Sequence, residues 1–199
     1  MKKIVCFSCL ALALIAAAGV GIAQTKSSPQ DQQKAMEAAM QKAMAVTENH
    51  ALLTQFVGKW AGAAATWEMP GAKPMKSTST SEITSIMGGR FIMEKFMGNM
   101  MNMPFEGLRV AGYDNMQKKF VTFWVDNTST AFFLFSGTYD AAKKTFTDLS
   151  KWPDGMGGIM DVRMVTRVVS PDEHIQEMYM TMPGQKEYKN MEIDYKRVK

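Results

Sequence analysis

From Lys59 onward, apolar and polar residues alternate in runs of roughly eight to twelve, broken by turn residues. Gly88 to Asp140 shows this best: four β-rich runs with no helix-length apolar stripe between them. The pattern predicts ten strands, at 59–69, 76–87, 90–98, 105–114, 118–127, 131–139, 143–150, 159–170, 173–182 and 186–198. Met87-Gly88-Gly89, Tyr113-Asp114-Asn115, Asp126-Asn127 and Asp140-Ala141-Ala142 mark tight connections. A longer loop runs through Pro153-Asp154-Gly155 and Gly157-Gly158, and Ser170-Pro171-Asp172 and Pro183-Gly184 turn the last hairpins. Strands joined in order by short turns make an antiparallel meander, and strands longer than the usual five or six residues suit closure. The expected fold is all-β, an antiparallel up-and-down barrel of about ten strands. No βαβ alternation is present, which argues against a parallel sheet.

Ahead of the strands the pattern is helical. Gln30 to Val46 is rich in Ala, Gln, Lys, Glu and Met, with Met36, Met40 and Met44 on one face. That stripe is expected to pack on the barrel, or else to meet a partner helix. Leu52, Leu53 and Phe56 share a face of a short helix that Gly58 ends. Lys2 and Lys3, an apolar run from Ile4 to Ala18 and small residues after it read as an export signal, cut after Ala23 or after Ala18. An uncleaved anchor is the alternative. The expected organisation is a signal over 1–23, a linker and N-terminal helix over 24–47 and a barrel domain over 48–199. The expected location is periplasmic or secreted, with membrane contact only through the signal.

Composition narrows the chemistry. Both cysteines, Cys6 and Cys9, fall in the leader, so the exported chain would carry no thiol nucleophile, no disulfide and no Cys-bound zinc. The 23 basic and 19 acidic residues are scattered, which argues against nucleic acid. The two histidines, His50 and His174, are far apart in sequence, and His174, just after the Pro171-Asp172 turn, reads as a surface residue. His174 could serve as the axial ligand of a haem only if it faced inward. No Gly-x-Ser-x-Gly is present.

Phe56-Val57-Gly58-Lys59-Trp60 places a Gly-x-Trp after a short helix and at the start of the first strand. This resembles the opening of calycin/lipocalin-like barrels. The resemblance implies that Trp60 closes the barrel floor and that Arg197, on the last strand, packs across it. Gly88-Gly-Arg-Phe-Ile92, Pro104-Phe-Glu-Gly107, Gly112-Tyr-Asp-Asn115, Trp124-Val-Asp126 with Thr130, and Gly137-Thr-Tyr-Asp140 follow in order. Glu177-Met-Tyr179 and Met191-Glu-Ile-Asp-Tyr195 continue the series. The set resembles the bacterial domain of unknown function 1579 family, small and often secreted proteins, from His50 onward. The resemblance implies the barrel and carries no activity with it.

The expected role is non-catalytic binding of a small apolar or amphipathic ligand, with no cofactor. Phe91, Phe123, Trp124, Phe133 and Phe135 would supply an aromatic wall. Glu94, Arg109, Asp126, Arg163 and Glu192 are the strand charges that would reach a ligand if their faces point inward; otherwise they are solvated. Asp161, Arg163 and Arg167 share one face, opposite Met160, Val162, Met164 and Val168. Both faces of 120–125 and 132–135 are apolar, which suggests that a helix or a second subunit in a homodimer covers the outside. The chain has 20 methionines. They serve as adaptable filler and pocket lining, or, at Met97, Met100, Met101 and Met103, as soft ligands for copper(I) or silver(I). A third reading is an interaction module whose barrel is filled.

Overall fold

The computed structural model describes residues 28–100 and 103–199. The predicted signal, Cys6, Cys9 and Met101 lie outside the described residues. The chain divides after Glu37 into two units. Among the described residues the first unit holds the start of helix α1 (Pro29–Met44), where Ser28 Oγ accepts the amide of Asp31 at 3.1 Å.

The second unit is a barrel. Helix α2 (Glu48–Thr54) precedes ten strands: β1 (Gly58–Thr66), β2 (Met75–Ile86), β3 (Phe91–Met100), β4 (Met103–Asp114), β5 (Lys119–Asp126), β6 (Phe133–Asp140), β7 (Thr145–Pro153), β8 (Ile159–Ser170), β9 (Glu173–Thr181) and β10 (Tyr188–Arg197). Each pairs antiparallel with the next, and β1 pairs with β10 to close the barrel. All ten predicted strands are present, with ends shifted by a few residues. Closure leaves no free sheet edge. Among the described residues no helix is long and apolar enough to cross a membrane.

The methionine stripe differs from expectation. No residue of α1 is buried, and Met36, Met40 and Met44 are all exposed. The helix is mostly Ala, Gln, Lys and Glu, so the three thioethers are its only sizeable apolar area. Its C-terminal end is held by polar contacts instead. Asn115 Nδ2 donates to the carbonyls of Lys42 and Ala45 at 3.0 and 2.7 Å, and Arg90 Nη2 donates to that of Met44 at 2.9 Å. Among the described residues the outer face of β5 to β7 is exposed: Phe132 is 73% exposed, Leu134 61% and Leu149 57%.

One end of the barrel is packed solid. Leu53 and Phe56 enter from α2 and the turn after it and meet Trp60, Ile83, Ile92, Phe120, Phe146, Ile193 and Tyr195. Among the described residues this packed cluster does not reach the other end, which carries the β1–β2, β3–β4, β5–β6, β7–β8 and β9–β10 connections.

Candidate functional site

The period-two alternation sends one face of each strand into the barrel. On β3 the inward residues include Ile92, Glu94 and Phe96, and on β4 they include Phe105, Arg109 and Ala111. On β5 they are Phe120, Thr122, Trp124 and Asp126, and on β6 Phe133 and Phe135. Beyond the packed floor these faces enclose a cavity of about 350 Å³.

The cavity wall has two zones. Around the mouth is an aromatic collar. Phe96 meets Phe105 and Trp124 edge-on, with centroids 5.7 and 6.0 Å apart, and Phe133 packs 4.3 Å from Trp152. Met100, Met164, Met178, Met180 and Met191 also line the cavity and add adaptable apolar surface. Trp124 is held in place by its indole N–H, which donates to Asp126 Oδ2 at 2.8 Å. Gly107 on β4, across from Asp126, makes room for the indole, since a Cβ there would lie 2.2 Å from the ring.

Deeper in, the wall is polar. Arg109 Nε lies 2.6 Å from Glu94 Oε2, and Ser81 Oγ donates to Glu94 Oε1. Both charges lie on the inner face, where only pairing makes their burial tolerable. Tyr195 is buried beside Ser81, and burial, with the Glu94 charge adding, pushes its hydroxyl pKa well above the usual value. Thr122 and Gln176 complete this zone. Asp148, on β7, sits over Gly137 of β6; a Cβ at Gly137 would come 2.0 Å from its Oδ1. That oxygen is buried without a hydrogen-bond partner. Burial pushes the Asp148 carboxyl up to about 6, and the Arg109 charge only partly offsets this.

Six of the ten residues singled out as ligand candidates line the cavity together: Glu94, Arg109, Trp124, Asp126, Phe133 and Phe135. Phe91, Phe123, Arg163 and Glu192 do not. Phe91 packs on the outside against Gly112, and Phe123 packs against exposed Phe132. Arg163 pairs with Glu187 at 2.6 Å and lies over the Tyr179 ring. Glu192 shares Lys189 with Glu177. These are strand neighbours of inward residues and so point the other way. Phe96, Phe105, Trp152, Gln176, Tyr195 and Asp148 were missed. Period two, anchored on the Phe146 that shares a face with Asp148, would have found the last.

The structure places Arg197 across Trp60 at the floor. Its guanidinium carbon is 4.2 Å from the ring, and it donates to the carbonyls of Val57, Gln55 and Pro171 at 2.7, 2.9 and 2.9 Å. His174 corrects the surface reading: it is buried, stacked 4.6 Å from Tyr195 and edge-on to Trp60 and Phe56. It points inward but belongs to the floor and is not among the cavity-lining residues. Burial, aided by Arg109 and Arg197, holds its imidazole down at about 3. His50 is also buried; its Nδ1 accepts the amide of Thr47 at 3.0 Å and caps α2.

Met97 and Met100 stand on opposite faces of β3, and only Met100 reaches the cavity, with Met103 its cross-strand partner. Met101 lies outside the described residues. Among the described residues no cluster of His, Asp and Glu is gathered that would hold a metal ion.

The sequence matches a family model described as "Protein of unknown function (DUF1579)" over residues 45–197. No curated protein matches it. Among the solved structures that share the fold are two with low identity to this chain. One is the S-type phycobiliprotein lyase CPES from Guillardia theta, 14% identical, with a TM-score of 0.52 over 81% of this chain and 97% of that one. The other is Rv2717c from M. tuberculosis, 12% identical, with a TM-score of 0.57 over 78% of this chain and all of that one.

Proposed function

We propose, for a chain that belongs to the family described as "Protein of unknown function (DUF1579)", the non-catalytic binding of a small amphipathic molecule inside the barrel. One observation carries this reading: the cavity of about 350 Å³, apolar at its mouth and polar at its base. A pocket of this size with few convergent polar groups suits a small ligand. A filled barrel would leave no such space. The cross-strand aromatic pairs and the methionines present a broad apolar surface, and burying it against a ligand body supplies the affinity. The polar base orients the head. The leader pattern in the sequence would place this activity in the periplasm or outside the cell.

The test uses N-phenyl-1-naphthylamine, a neutral probe that brightens in apolar surroundings. Wild type is expected to take up one equivalent saturably. Met178→Trp fills the cavity from the β9 wall and is expected to abolish uptake while the chain stays folded. Uptake that survives in the filled variant would place the probe elsewhere and overturn the reading.

A further inference from the structure

The cavity wall carries three carboxyl groups, Glu94, Asp126 and Asp148, and one guanidinium, Arg109. Two of the three carboxyls are already satisfied. Glu94 pairs with Arg109 at 2.6 Å and accepts from Ser81. Asp126 sits at the mouth, where Oδ2 accepts from Trp124, and Oδ1 accepts from the Thr128 amide at 3.0 Å and hydroxyl at 2.6 Å. Asp148 has neither an ion pair nor a hydrogen bond among the described residues, and its Oδ1 is buried. A carboxylate left in that condition is costly, and the cavity as a whole is short of positive charge.

The groups that face this region are distributed over the barrel. Arg109 comes from β4 and is paired with Glu94 of β3, and its charge offsets only part of the burial of Asp148. Met164 of β8 stands beside Asp148 in register, and Gly137 lies beneath it on β6. Tyr195 of β10 is held in its neutral form by burial, and His174 of β9, held at about 3, is neutral above pH 5. None of them supplies the missing cation. Above the polar base stand Trp124, Trp152, Phe96, Phe105, Phe133 and Phe135, whose ring faces attract cations.

We infer that the ligand is an amphipathic amine, with a protonated ammonium seated on Asp148 and an apolar body in the aromatic and methionine collar. This rests on the binding role proposed above and assigns the head group to that site. An anionic head would add to a wall that carries three carboxyls against one guanidinium, and that guanidinium, though its buried Nε makes no hydrogen bond among the described residues, is already paired in charge with Glu94. The ionised Asp148 is the form that takes the ammonium. Binding therefore strengthens as pH rises through the free carboxyl's value of about 6, and is weakened below it by competition from a proton.

The test displaces N-phenyl-1-naphthylamine from the full chain with decylamine or decanoate, matched in length and opposite in charge, at pH 5.0 and 7.5. At pH 7.5 decylamine is expected to displace the probe at a concentration at least about tenfold lower than decanoate. Its affinity is expected to fall about tenfold at pH 5.0, as one carboxyl takes up its proton. With each competitor's affinity taken relative to that variant's own probe affinity, Asp148→Asn, nearly the same shape, is expected to lose both the amine preference and the pH slope. Decanoate binding as well as or better than decylamine, or an amine affinity untouched by Asp148→Asn, would overturn the assignment while leaving the binding role standing. Failure of the neutral probe to enter would remove both.

Discussion

Arg197 stacks its guanidinium over Trp60, its partner in register across the β1–β10 pair that closes the barrel. The stacking is one part of its role. The same side chain donates to Val57, Gln55 and Pro171, and its Nε lies 3.1 Å from Asp172 Oδ1. It ties the turn before β1 to the β8–β9 turn. Arg197→Ala is expected to lower stability by about 2–4 kcal/mol in a urea titration. Arg197→Lys should recover less than half of that, because a single ammonium cannot reproduce the planar fork.

The Glu94–Arg109 pair sets a second test. Arg109→Met leaves a carboxylate on the inner wall without a counter-charge and is expected to cost about 3–5 kcal/mol. Glu94→Gln added to it removes the stranded charge and should restore part of the loss. A double-mutant cycle by denaturation measures the coupling. Additive single effects would mean that the pair is not energetically joined.

Acid stability carries two opposed contributions. His174 is neutral in the fold down to about 3, whereas unfolded it protonates near 6.5, so the unfolded chain binds more protons in that window. Its contribution is complete above pH 6.5 and is lost as pH falls towards 3. Asp148 runs the other way. It is protonated in the fold up to about 6 and in the unfolded chain only to 3.8, so its contribution is complete below 3.8 and is lost as pH rises through 6. From pH 7 to pH 4, His174→Phe is expected to gain about 2–3 kcal/mol relative to wild type. Asp148→Asn is expected to lose about 2 kcal/mol relative to wild type over the same range. Denaturant titrations at the two pH values read both.

Gly107→Ala tests the collar. The added methyl would meet Trp124 at 2.2 Å. The indole must then move and lose its bond to Asp126. The near-ultraviolet circular dichroism of the tryptophans is expected to change, and stability to fall by about 1–3 kcal/mol. An unchanged spectrum would contradict the placement of the indole.

The strands were legible because period two and the turn residues agree along the whole length from β1 to β10. The inner face was less so. Phe91 and Glu94 have opposite parity on one strand, so both cannot point inward, and neither can the neighbours Phe123 and Trp124. Double-sided apolarity hid this choice: Phe123, Phe132 and Leu134 are as hydrophobic as the residues that face in. On β8 the parity did separate Met164 from Arg163. His174 read as a surface residue from its place beside a turn. That turn sits at the packed floor, where α2 covers the end of the barrel, and a local pattern does not carry such long-range packing. The Met36, Met40 and Met44 stripe was visible, but period alone does not decide whether a stripe finds a partner surface.

The central claim is that the barrel holds a small amphipathic molecule. Native mass spectrometry of the chain purified from the organism that encodes it tests this most directly, with Met178→Trp prepared alongside. Wild type is expected to carry a noncovalent small-molecule adduct that the filled variant lacks and that dissociates on activation. A bare wild-type mass under conditions that preserve the fold, or the same adduct on both proteins, would contradict it.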